Sequence, residues 1–326
     1  MRMSFAILVG VSVILLGGED RAVIAQAGPA QVGVVLQGGP YYAALEGLRD
    51  GLKQLGLQEG KEYQFDIRDS KGDLAAAEQM AADLAAKKVK LIYALSGSIS
   101  NAVQKATNAT DMPIVFVVGS DPVELHLVQS LAQPGGRLTG VHFLQTDLTA
   151  KRLQILKELV PRLKSVVIFF DPSNKGAADA ARFAHEAGSQ LGVDIVERHV
   201  ASVDELKRSL QALKQGEVDA YFFTSDARVT SQAALIIEAA KAKMLPTMFH
   251  EQTLVAQGAL ASYGLSYREI GRLSARYVQR ILAGASPRTL PVEQVDKLEM
   301  VVNLQTAKAL GLKIPQSLLL QADKVY

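Results

Sequence analysis

The feature that most constrains the fold of this chain is an alternation. From residue 31 onward, short apolar, β-branched runs take turns with longer stretches of helical spacing. "QVGVVL" precedes "GGPYYAALEGLRDGLKQLG", "YQFDIRDS" precedes "DLAAAEQMAADLAAKK", "VKLIYAL" precedes "SISNAVQKATN", and "MPIVFVV" closes the round. Strands separated by helices predict a parallel sheet covered on both faces. Strands buried on both sides read as unbroken apolar runs, as these do. A short helical pattern follows Asp121-Pro122 and stops at Pro134-Gly135-Gly136.

The rhythm restarts after residue 144 with a helix, "DLTAKRLQILKELVP". "KSVVIFF", "VDIVERHV", "VDAYFF", "LPTMFH" and "ALASYG" follow as strands, with helices near 175–191, 202–214 and 228–243. A long helix over 266–283, an extended "LPVEQVDKLEMVVN", a helix "LQTAKALGL" and a short tail complete the chain. No Gly/Ser- or Pro-rich tether separates the two rounds, and 139–147 runs directly from one to the other. The leftover helix and strand require the chain to cross back and cross again. The expectation is an α/β protein of two doubly wound parallel-sheet lobes joined by a multi-strand hinge. Lobe 1 comprises 28–143 plus about 265–295, and lobe 2 comprises 144–264 plus about 296–326.

The first 27 residues read as a secretory signal peptide. Arg2 gives a positive start, Phe5 to Leu16 is apolar except for Gly10 and Ser12, and Ala25-Gln26-Ala27 is a small-x-small cleavage site. That apolar run is well short of the roughly 20 residues needed to span a bilayer; the competing reading is an uncleaved anchor. The chain has no Cys, hence no disulfide and no thiol to carry a lipid at a mature N-terminus. This predicts a periplasmic, unlipidated protein starting near Gly28. Net charge is +2, which gives no reason to expect nucleic acid as a partner.

Ligands of open parallel sheets bind at the carboxyl ends of the strands. In the first round those ends carry Gln37-Gly38-Gly39-Pro40-Tyr41-Tyr42, Ser96-Gly97-Ser98 and Gly119-Ser120-Asp121. In the second they carry Asp171-Pro172-Ser173-Asn174, Thr224-Ser225-Asp226 and His250-Glu251, and the last strand ends at Ser262-Tyr263-Gly264. Free N–H groups at a helix start attract anions, and glycines let a ligand approach the backbone. Ser96-Gly97-Ser98 is therefore a candidate carboxylate grip, and Asp121, Asp226 and Glu251 are candidates for an ammonium. Tyr41, Tyr42, Phe143, Phe249 and Tyr263 offer apolar walls. Each Ser or Asp has a competing role as a helix N-cap.

Enzyme motifs fail. "GLQEGK" at 56–61 is one residue too short for a phosphate-binding loop, is followed by Glu62, and precedes a strand. No G-x-S-x-G surrounds a serine, and no G-x-G-x-x-G follows the first strand. His126, His142, His185, His199 and His250 form no pair at metal-ligand spacing. Neither a cofactor nor a metal is expected.

"PIVFVVGSDPVELHLVQSLAQPGGRLTGV", "KRLQILKELVP", "ASYG" and "LPVEQVDKLEMVVNLQTAKALGLKIPQSLLLQADKVY" carry a resemblance. The chain from about residue 31 onward resembles the TrpX-like substrate-binding proteins of bacterial ABC importers, whose better-known members bind aromatic amino acids. The resemblance implies a type I periplasmic binding protein fold with a three-strand hinge. It implies a small ligand, an amino acid or aromatic carboxylate, delivered to an ABC permease in the inner membrane. It makes Asp121 a binding or capping residue on the cleft rim; the strand-end reading makes Gln37, Gly38, Tyr41, Ser96, Gly97, Ser98, Phe143, Asp171, Asn174, Asp226, His250, Glu251 and Tyr263 the other ligand-binding candidates. Ser96-Gly97-Ser98 stands where relatives often have Gly-Thr-Pro, Asp171-Pro172 where many have Asn-Pro, and His250-Glu251 where a bulkier, more basic stretch is common. A ligand-sensing domain signalling to a membrane partner is the alternative.

Overall fold

The computed structural model describes residues 28–326, so the expected signal peptide lies outside the described residues. Five strands lead the first sheet: β1 (Ala30–Leu36), β2 (Tyr63–Asp69), β3 (Leu91–Leu95), β4 (Ile114–Val118) and β5 (Leu138–His142). Helices α1 (Tyr41–Gln54), α2 (Leu74–Ala86) and α3 (Gly97–Ala106) connect the first four of them. Every residue of β3, β4 and β5 is buried, and β3 and β4 are accordingly apolar without alternation. Residues 122–131, where the sequence suggests a helix, form only turns. His126 adopts a left-handed backbone (φ 56°), which ends any helical run, and Leu127 and Val128 are drawn into the core instead.

The chain then builds a second sheet. Helix α4 (Thr149–Leu159) leads to β6 (Ser165–Phe170), α5 (Lys175–Leu191), β7 (Asp194–His199), α6 (Val203–Ala212) and β8 (Ala220–Phe222). Next come α7 (Ala227–Ser231), α8 (Ala233–Ala242), β9 (Thr247–Phe249), α9 (Gln252–Ala256) and β10 (Ala261–Leu265). The single helix expected over 228–243 is broken at Gln232. There Thr230 and Ser231 turn their hydroxyls onto the carbonyls of Asp226 and Arg228, a local bonding that competes with helix continuation.

From β10 the chain returns to the first sheet as α10 (Tyr267–Leu282) and β11 (Glu293–Gln294). It then recrosses to add β12 (Leu298–Val302), α11 (Leu304–Ala309), α12 (Gln316–Gln321) and β13 (Lys324–Val325) to the second. The six-stranded sheet runs β11-β5-β4-β3-β1-β2, and the seven-stranded sheet runs β13-β12-β10-β9-β8-β6-β7. All pairings are parallel except β10 with β12. The expected extended stretch 290–303 is thus divided, β11 pairing with β5 and β12 with β10. The chain passes between the sheets three times: after β5, after β10 and after β11.

The second passage is anchored by packing. Helix α10 buries Tyr267, Ile270, Gly271, Ser274, Ala275, Val278 and Ile281, a stripe at three- and four-residue spacing. It lies on α1, whose Ala44, Leu45, Gly47, Leu48, Gly51 and Leu52 are buried. The backbones approach so closely that a Cβ on Gly47 would stand 1.8 Å from the Arg268 carbonyl oxygen. A Cβ on Gly271 would stand 1.8 Å from that of Ala44. Leu45, Leu48, Ile270 and Val278 are wholly buried, and each contributes about 1.5–3 kcal/mol.

Candidate functional site

The carboxyl ends of the two sheets face each other across a cavity of about 550 Å³. From the first sheet it is lined by Gln37 and Tyr41 after β1, Gly72 after β2, Ser96, Gly97 and Ser98 after β3, Gly119 and Ser120 after β4, and Phe143 and Gln145 after β5. From the second it is lined by Asp171, Ser173 and Asn174 after β6, and by Phe223, Ser225, Asp226 and Arg228 after β8. Tyr267, the first residue of α10, lies where the second passage enters.

Ser96 opens α3 from a strained backbone, φ +100°, in a region that residues other than glycine rarely occupy. Its hydroxyl accepts from the Ile99 amide (3.3 Å) and lies 3.4 Å from the Ser98 hydroxyl. The conformation places two hydroxyls at a helix start on the cavity wall, an arrangement suited to an anion.

The acids on the opposite wall are already engaged. Asp226 caps α7: its Oδ1 accepts from the Val229 amide (2.9 Å) and its Oδ2 from the Asp171 amide (3.0 Å). Burial raises its pKa against these bonds. Asp171 accepts from the Ser173 amide (2.9 Å) and hydroxyl (2.6 Å), and from Arg228 (2.8 Å). Burial opposes its charge, but these donors outweigh it and hold the carboxyl below its ordinary value. The acid at 171 has its cation within the chain. Arg228 also donates to the Ala201 carbonyl (2.6 Å).

Four aromatic rings gather toward the passages. Tyr41 and Phe143 lie 5.3 and 6.0 Å, centroid to centroid, from Tyr267. Burial pushes the Tyr41 phenol up to about 12 and that of Tyr267 well above its ordinary value. Phe223 comes from the other sheet and stacks on His250 at 3.9 Å. Behind it lies the wholly buried Arg152 on α4, its guanidinium 5.5 Å from the Phe223 centroid. Arg152 donates to the Tyr263 carbonyl (2.7 Å) and the Gln145 carbonyl (3.1 Å), tying the first passage to the strand that feeds the second. Burial lowers its pKa to about 9.

Of the sequence candidates, Gln37, Tyr41, Ser96, Gly97, Ser98, Phe143, Asp171, Asn174 and Asp226 line the cavity. Gly38, Asp121, His250, Glu251 and Tyr263 are outside its lining. Gly38 takes a left-handed turn (φ +80°) against the Asp69 carboxylate. Asp121 accepts from the Val123 amide at 2.7 Å, closing a local turn. His250 stands behind the wall, 3.1 Å from the Tyr267 hydroxyl, and burial holds its pKa well below the usual value. Glu251 caps α9 through the Thr253 amide (2.7 Å), and burial pushes its carboxyl up to about 7. Tyr263 contributes the carbonyl that Arg152 binds.

Reading strand ends leaves out Gln145, Phe223, Arg228 and Tyr267, all of which line the cavity. Phe223 and Tyr267 are apolar or helical in sequence, and Arg228 is hidden inside a helical pattern. Among the described residues no cluster of three or more His, Asp or Glu is placed to hold a metal, and no helix is long and apolar enough to cross a membrane.

The chain is 27% identical over 271 residues to the tyrosine-binding protein of Clostridioides difficile (strain R20291), covering 83% of this chain and 77% of that one. It superposes on an ABC domain in complex with L-Trp from Streptococcus pneumonia with a TM-score of 0.79, at 23% identity, covering 91% and 100% of the two chains. A ligand-free, open substrate binding protein with adhesive properties from Clostridium difficile is 26% identical, with a TM-score of 0.60 and coverage of 91% and 99%. The architecture is that of type I periplasmic binding proteins, and the role is binding rather than catalysis. Residues 30–326 match the model of one family throughout, and the chain belongs to it: the ABC transporter substrate binding proteins.

Proposed function

We propose that this protein is the exported solute-binding component of an importer. It captures an amino acid or aromatic carboxylate between two lobes, 28–143 with 265–295 and 144–264 with 296–326, and delivers it to an ABC permease in the inner membrane from the periplasm. The observation that carries the reading is the cavity itself, walled by strand ends of both sheets and bordered by the first two chain passages at Phe143, Gln145 and Tyr267. A ligand lodged there touches both lobes only when they are together, so it stabilises the closed state by that difference in contacts. The rings of Tyr41, Phe143, Phe223 and Tyr267 suit an aromatic body, and the Ser96–Ser98 helix start suits a carboxylate. Loops of the two sheets already touch in this structure, Gly39 and Gly72 lying against Thr230, Ser231 and Arg228.

Native mass spectrometry of the freshly purified protein, followed by a thermal-shift panel of amino acids and aromatic acids, tests the reading. A ligand held at a hundred times its dissociation constant adds about 2.7 kcal/mol to unfolding. A panel without any stabilising member, on a protein that also carries no copurified small molecule, refutes it.

A further inference from the structure

On the cavity wall, Arg228 keeps a hydrogen-bonding edge that the protein does not use. Its side chain runs from α7 along the carboxyl end of the second sheet, past Asp171 after β6 to Ala201 after β7. Both of those partners take Nη1, the Asp171 carboxylate at 2.8 Å and the Ala201 carbonyl at 2.6 Å, and together they fix the guanidinium. Among the described residues its Nε and Nη2 donate to nothing, neither is shut away from water, and the side chain is 23% exposed. These two atoms form the side-on edge of the guanidinium, a pair of parallel N–H donors that matches a carboxylate.

The acids of the lining are in the opposite condition. Both oxygens of Glu78 accept from Lys105, at 2.8 and 3.0 Å. Asp171 gives one oxygen to Ser173 and the other to Arg228. Asp226 gives one oxygen to each of two backbone amides, and burial weighs against its charge. A ligand ammonium therefore meets no lining carboxylate oxygen that lacks a donor, and an unpaired cation is costly to enclose. Lys175, which opens α5 on the same wall, adds a positive charge that no acid among the described residues pairs.

We infer that Arg228 is a specificity-determining residue: its free Nε–Nη2 edge takes the ligand carboxylate side-on, and the cavity selects a deaminated aromatic acid over the corresponding amino acid and turns away the amine. The inference rests on the reading above, that the ligand is an amino acid or aromatic carboxylate, and chooses between the two. The order follows from what each functional group finds. A carboxylate gains two charge-assisted bonds from a cation already held in place, so little side-chain freedom is lost on binding. An amino acid makes the same bonds but must also strip water from an ammonium for which the walls hold no free acid. The amine has that cost and no carboxylate to offset it.

Calorimetric titration tests the inference, with tyrosine and tryptophan, their deaminated acids 3-(4-hydroxyphenyl)propionate and indole-3-propionate, and their decarboxylated amines tyramine and tryptamine. The wild type binds each acid at least as tightly as its amino acid, and each amine more weakly than the acid by about tenfold or more, the worth of one charged hydrogen bond. Arg228→Lys keeps a cation beside Asp171 but loses the side-on edge, so the acids weaken by about tenfold while the amines stay weak. Arg228→Gln leaves the Asp171 carboxylate without its cation, so the acids weaken and the amines gain. Thermal unfolding of each variant establishes that it is folded, a general loosening would weaken all ligands alike, and the wild-type ranking stands as a test without the variants. An amino acid bound more tightly than its acid, an amine bound as well as its acid, or an equal loss for acid and amine in Arg228→Gln would overturn this inference alone. Binding of none of these compounds would overturn it together with the ligand class proposed above.

Discussion

Gly72 and Arg228 meet across the cleft: a Cβ on Gly72 would stand 3.2 Å from Arg228 Cγ and 3.1 Å from the Ser231 hydroxyl. Gly39 makes the matching contact nearby, its Cβ position lying 3.0 Å from the Thr230 and Ser231 carbonyl oxygens. Both glycines belong to first-sheet loops, and all three partners stand on α7 of the second. Two bare backbones thus form a seam between the loops of the two sheets, where the proposed closure would bring them together. Ser231→Trp fills that seam without altering a glycine. Ligand affinity then falls tenfold or more, and X-ray scattering with ligand present keeps the larger dimensions of an open protein. Unfolding without ligand moves by no more than about 0.5 kcal/mol, since a partly exposed side chain changes.

The contact of α1 with α10 has no room for a methyl group. Gly47→Ala and Gly271→Ala each drive a Cβ into a carbonyl oxygen 1.8 Å away, and the helices must separate. Each costs at least about 2 kcal/mol in denaturant unfolding. A loss below about 0.5 kcal/mol for both would mean the helices are not so close.

Glu251 makes stability depend on pH. Burial raises its carboxyl from 4.5 to about 7, so the folded chain holds that proton more tightly than the unfolded one. A group of this kind stabilises below its unfolded pKa, and the benefit is lost as pH rises through the folded pKa. Its contribution declines between about 4.5 and 7, by roughly 3 kcal/mol at most. Glu251→Gln keeps a cap for Thr253 and removes the titration. Unfolding free energies of wild type and variant, measured from pH 4.5 to 8, therefore diverge in favour of the variant as pH rises; parallel curves would contradict the assignment.

Asp226 holds a loop as well as lining the cavity. Asp226→Ala removes the α7 cap and leaves the buried Asp171 amide without an acceptor. The two losses together cost about 2 kcal/mol. Asp226→Asn retains one acceptor oxygen and costs less. Thermal unfolding of the ligand-free variants checks the order.

Much of the architecture is legible in the chain because burial on both faces leaves its mark residue by residue. Strands such as "LIYAL" and "IVFVV" are apolar throughout, and the amphipathic spacing of α10 marks a helix covered on one side. The 122–131 segment is not legible, since its apolar residues at helical spacing are satisfied equally well by turns that carry Leu127 and Val128 into the core. Loop ends of the strands are a good guide to the cavity for Ser96, Ser98 and Asp171. They fail for Glu251 and Asp121, whose carboxylates are consumed by amides two residues on.

The strand and helix rhythm, the doubling of the α/β unit and the need for the chain to recross can all be read from the residues alone, because hydrophobic periodicity is a local consequence of burial. Which polar groups are engaged follows instead from the packing of distant segments. That packing gave the Asp171 charge to Arg228, 57 positions away, and the Asp226 oxygens to backbone amides. Hydrogen bonds saturate, so a side chain's availability to a ligand depends on neighbours that sequence spacing does not record.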